Sequence, residues 1–94
     1  MSTDRSPEQR AFAARLAAAR KVHGLTQTDL AALLGVSLPR YHSCESATAS
    51  PNRIELYRKV CLHLHVTMDW LFFGSRAGLS VEMAEKLYAD KKIT

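Results

Sequence analysis

The sequence predicts an all-α fold, five short helices with a sixth appended behind a glycine-flanked linker. Three observations carry this expectation. Apolar residues recur at spacings of three and four, and no segment alternates apolar with polar as a half-buried strand does. Residues able to cap a helix stand ahead of the apolar segments, and glycines close several of them. The 94-residue chain is 47% hydrophobic, and a chain of that size buries roughly two-thirds of its unfolded surface, enough for one compact helical core.

Ser6-Pro7-Glu8-Gln9 reads as a capping box with proline in the first helical position, opening a helix to about His23. Phe12, Leu16 and Ala19 form its inner stripe, leaving Arg5, Arg10 and Lys21 to solvent. Gly24 can adopt the left-handed conformation that ends a helix. Thr26 then caps a second helix starting at Gln27, with Asp29 favouring its positive end. Gly35 stops that helix after about two turns, and Ser37 caps a third in which Pro39 is tolerated because first-turn amides need no partner. Leu30, Ala31 and Leu34 on one helix, Tyr41 and Cys44 on the next, and Val36 in the turn make a shared apolar seam. The product is a helix-turn-helix, a unit that presents the start of its second helix to the DNA major groove in many readers and also occurs in proteins that never touch DNA.

Beyond a small-residue loop at 47–51, Asn52 with Glu55 reads as a second capping box for a helix to about Leu64, its inner face Ile54, Tyr57, Val60 or Cys61, and Leu64. Thr67 caps a short fifth helix with Trp70 and Leu71. Gly74 to Gly78 is a linker, and Ser80 caps an amphipathic sixth helix to about Asp90, with Val81, Ala84, Leu87 and Tyr88 on one face. That face either folds back on the domain or forms a dimer seam. The expected organisation is a flexible tail over residues 1–6, a helix-turn-helix domain over 7–74, and a linker with the C-terminal helix over 75–94.

Arg20, Leu25-Thr26-Gln27, Gly35-Val36-Ser37 and Glu45, followed by Pro51 and the closing run Val66 to Gly74, resemble the phage Cro and repressor (XRE-like) helix-turn-helix regulators over roughly residues 10 to 74. The resemblance implies a lambda-repressor-like five-helix domain that binds DNA. It implies that Arg20 and Glu45 form an ion pair fixing the first helix against the reading helix, and that Gln27 contacts a backbone phosphate. It also places the base-contacting positions at Ser37, Leu38, Pro39 and Ser43. Beside these, Arg40 has the fork to bind guanine or hold a phosphate, and His42 is the histidine placed to meet DNA. Leu38 and Pro39 offer only apolar contact to a thymine methyl. Thr26 lies at the phosphate-ready start of the second helix, and Arg53, with Thr48, Ser50 and Asn52, is a candidate phosphate contact near the loop.

The formal charge is +4 with a pI of about 9.4, which suits a polyanionic partner. The distribution is uneven. Residues 1–24 hold five basic and two acidic groups, net +3, whereas residues 25–53 set Arg40 and Arg53 against Asp29 and Glu45, net zero. Weak non-specific binding is expected of a neutral reading motif.

Several classes are disfavoured. No apolar run approaches the roughly 18 residues of a membrane span, and the polar start MSTDRSPEQR is no signal peptide, so a cytoplasmic protein is expected. Cys44 and Cys61 are read as reduced core thiols, and the four histidines lack metal-ligand spacing, so neither metal nor cofactor is expected. There is no nucleophile elbow, phosphate loop or paired carboxylate, so an enzyme is not expected. The residues after Gly74 are too few for an effector domain, and no small-molecule effector is expected. The favoured reading is a transcriptional regulator, repressor before activator, binding an inverted-repeat operator in double-stranded DNA as a homodimer. The alternative is a protein-interaction module for another regulator or toxin, favoured by Leu33, Leu38, Pro39 and Tyr41. The operator, its spacing and the genes controlled are not written in the chain.

Overall fold

The computed structural model describes residues 7–46 and 53–89. Six helices follow in order: α1 (Pro7–Val22), α2 (Gln27–Leu34), α3 (Leu38–Glu45), α4 (Ile54–Leu64), α5 (Met68–Phe73) and α6 (Val81–Tyr88), with no strand among the described residues. The tail at 1–6, the cap expected at Ser6, Arg5, the loop residues Thr48, Ser50 and Asn52, and Asp90 lie outside the described residues, whereas the sixth helix, expected to run to about Asp90, ends at Tyr88.

Local chemistry accounts for most boundaries. Thr26 accepts from the Asp29 amide while the Asp29 carboxylate accepts from the Thr26 amide, each at 3.0 Å, a complete reciprocal cap. Ser37, Thr67 and Ser80 each accept from the amide three residues on, starting α3, α5 and α6. Helix α1 ends in a left-handed Gly24, with the Leu25 amide reaching back to Arg20 and the Gly24 amide to Lys21. Gly35 closes α2 in the same manner, the Val36 amide bonding to Ala31. His65 closes α4 at φ 59, the only non-glycine residue with positive φ among those described.

The core forms around α1, which packs on α3, α5 and α6. Leu16 and Ala19 from α1, Leu30, Ala31 and Leu34 from α2, Tyr41 and Cys44 from α3, and Trp70 and Leu71 from α5 join one buried cluster. Phe12 is only partly buried, within an aromatic group with Tyr57 and Phe72 at centroid separations of 4.9 Å each. Both cysteines are free and buried, and burial pushes both thiols up.

Helix α1 ends at Val22, in line with the expected end near His23, where the left-handed turn takes up the carbonyls of Arg20 and Lys21. Three expectations are corrected. Ile54 is 50% exposed, and the inner stripe of α4 runs through Leu56, Tyr57, Val60, Cys61 and Leu64. Ile54 is the first residue of its helix. The N-cap of α4 is Arg53, without a side-chain cap bond, rather than Asn52. In α6 the inward residues are Met83 and Leu87, whereas Val81 is 75% exposed and Ala84 and Tyr88 are half-buried. The four residues expected on one face therefore divide. The helix packs on α1 with Met83 and Leu87 buried, while Trp70 Nε1 donates to the Tyr88 hydroxyl at 2.8 Å and Arg76 lies 3.6 Å over the Tyr88 ring.

Candidate nucleic-acid interface

The α2–turn–α3 unit holds its back against the core by Leu30, Leu34, Tyr41 and Cys44 and leaves the outer side of α3 open. Leu38, Pro39, Arg40 and His42 are all exposed there. The Arg40 guanidinium makes no hydrogen bond or ion pair among the described residues. The hydroxyls of Thr26 and Ser37 are engaged as helix caps. Ser43 donates to the Arg40 carbonyl at 2.7 Å and accepts from Arg53 Nη1 at 3.0 Å. Arg53 Nη1 also reaches the Arg40 carbonyl at 3.2 Å, so this arginine braces α3 from the far side of the loop.

Behind the open face lies a polar network centred on Glu45. Arg20 donates to its carboxylate from Nε at 2.6 Å and Nη2 at 3.1 Å, and side-chain exposures of 10% and 6% place the pair inside the domain. Tyr41 donates its hydroxyl to the same carboxylate, and Gln27 Nε2 donates at 3.0 Å. Burial alone raises the Glu45 pKa, but the hydrogen bonds from Arg20, Tyr41 and Gln27 outweigh it and hold the carboxyl below its ordinary value. The Arg20 guanidinium shifts up, chiefly through its hydrogen bond to Glu45. Burial, and then the adjacent carboxylate, pushes the Tyr41 hydroxyl up. It stays protonated and donates.

Gln27 is half-buried, and its amide is engaged at both ends: Nε2 on Glu45 and Oε1 on His42 Nδ1 at 3.0 Å. The residue expected to face a phosphate thus links the core ion pair to the exposed face of α3. Nothing local signals this, because the partners lie 15 and 18 residues along the chain. Arg15 was likewise not legible as a core residue. It is 8% exposed, donates from Nε to the Leu71 carbonyl at 2.9 Å, and is pulled down by desolvation. It ties α1 to the end of α5.

Among the described residues no group of three or more His, Cys, Asp or Glu side chains forms a metal site, and no helix is long and apolar enough to cross a membrane. Residues 11–70 match the profile of the helix-turn-helix domain family, and the chain belongs to that family. No curated protein and no solved structure gives a significant match. Membership points to DNA binding as the general role.

Proposed function

We propose that the chain is a sequence-specific DNA-binding transcriptional regulator, a repressor, that reads an inverted-repeat operator as a homodimer with the start of α3 in the major groove. The observation that supports this most is the exposed set Leu38, Pro39, Arg40 and His42 on a helix whose opposite side is packed and braced. The capped starts of α2 and α3 add oriented amides suited to phosphate contact. A homodimer is motivated by specificity, since one reading helix covers few base pairs and paired half-sites about 34 Å apart supply the rest. Leu87 lies in the chain's own core and is withdrawn as a dimer contact, which leaves Val81 as the exposed apolar residue of α6.

Selection of bound fragments from a random duplex library tests this reading. Recovery of an inverted repeat supports it, and recovery of no enriched sequence overturns it. The interaction-module reading keeps one supporting observation, the exposure of Leu33 at 51% and Leu38 at 43% on a segment of zero net charge. Duplex affinity that falls steeply with salt separates the two, because only phosphate neutralisation releases counterions.

A further inference from the structure

The network behind the reading face has a direction. The Glu45 carboxylate accepts from Arg20, Tyr41 and Gln27, and an ionised carboxylate can only accept, so Gln27 must turn its amino group toward it. The Gln27 oxygen then faces His42 Nδ1 at 3.0 Å. A carbonyl oxygen also only accepts, so Nδ1 must carry the hydrogen. In a neutral imidazole the remaining nitrogen, Nε2, is then a bare acceptor. It lies on the side of the ring away from Nδ1, on an exposed residue of α3.

We propose that Gln27 is a positioning residue that sets the tautomer of His42, so that His42 presents an acceptor to the major groove and selects adenine or cytosine over guanine or thymine at one operator position. Adenine N6 and cytosine N4 are the amino donors of the groove, whereas guanine O6 and thymine O4 are acceptors. An imidazole with its hydrogen on Nε2 would donate instead, to guanine O6 or N7, thymine O4 or adenine N7, and would lose its preference for the amino groups. The polarity of an outward nitrogen is thus set by the Glu45 carboxylate in the core, through Gln27. This inference rests on the DNA-binding reading for its ligand but not for its tautomer.

Two measurements test it. Nitrogen-15 NMR of the free protein at about pH 8, where an ordinary imidazole is neutral, should show the His42 hydrogen on Nδ1 in the wild type and not in Gln27→Met, whose thioether is a poor acceptor. A wild-type hydrogen on Nε2 overturns the proposal without reference to DNA. Binding to four duplexes that differ only at the position relaxed by His42→Ala should favour adenine or cytosine by about tenfold, and Gln27→Met should reduce that to about twofold with the salt dependence unchanged. A guanine or thymine preference, or an undiminished preference in Gln27→Met, overturns the proposal. Absence of salt-dependent duplex binding would instead remove the DNA reading, and base selection with it, while the NMR result stands. If Gln27→Met does not fold, the wild-type tautomer and wild-type base preference each remain decisive.

Discussion

Arg20 holds Glu45 with two nitrogens and the Leu25 carbonyl with a third, Nη1 at 2.7 Å, so one side chain ties α1 to both the start of the α2 segment and the end of α3. Removing it leaves a carboxylate of 6% side-chain exposure without its cation. Arg20→Ala is expected to destabilise the domain by about 3–5 kcal/mol. Thermal denaturation checks this without DNA, and a melting temperature equal to wild type would refute it.

The same carboxylate makes stability depend on acid. Glu45 has a folded pKa below the ordinary 4.5 that serves for the unfolded chain. Between these values the unfolded state binds more protons, so stability rises with pH there. The contribution is complete above about pH 4.5 and is lost as pH falls through the folded value. Urea unfolding across the acid range should show a steeper loss in the wild type than in Glu45→Gln, which has no carboxylate to titrate.

His65 occupies a left-handed position that side chains adopt at a cost, and its ring lies 5.9 Å from that of His23. His65→Gly should raise the melting temperature by a few degrees, corresponding to about 0.5–1 kcal/mol. The gain is less than the full left-handed penalty because glycine also has more freedom when unfolded. His65→Val, β-branched at the same backbone angles, should lower it.

Arg15 has a different kind of partner from Arg20. It meets a carbonyl rather than a carboxylate, and a side chain built on Gly74 would approach its Nη1 at 3.3 Å. Arg15→Ala should destabilise by about 1–3 kcal/mol, since the Leu71 carbonyl loses its donor and the stem leaves a gap. Arg15→Met restores the packing but not the hydrogen bond. A melting temperature intermediate between alanine and wild type is expected.

The parts of the fold that depend on neighbours a few residues apart were legible in the chain. Thr26, Ser37, Thr67 and Ser80 cap because the amide each one serves lies three residues on. Gly24, Gly35 and Gly74 stop helices through their own backbone angles. What was not legible depends on how helices meet. Ile54 fits the helical period of α4 yet is exposed, and in α6 the buried pair is Met83 and Leu87, with Tyr88 held at the edge by Trp70 and Arg76. Arg15 becomes a core residue only because the end of α5 arrives above it. In the candidate site the exposed residues were legible from the motif. The inward engagement of Gln27 was not, because it requires α3 to place His42 and Glu45 on either side of one amide.

Arg40 is an exposed cation on α3. If it reads guanine through two hydrogen bonds, Arg40→Ala should lose about 1–3 kcal/mol of binding at a single base position and relax the preference there. Comparing affinities for a set of single-base operator variants checks this. A loss equal across all sequences, with a shallower salt dependence, would assign Arg40 to a phosphate instead.

The chain's single tryptophan, Trp70, is fully enclosed, and its indole donates to Tyr88 on α6. Its fluorescence therefore reports whether the last described helix is seated, and a red-shifted emission marks its release to water. The α2–α3 face holds no other indole to confuse the signal. Undocking of α6 can thus be followed by the intrinsic emission of one buried residue, with no indole signal from α2 or α3 overlaid on it and no dye attached.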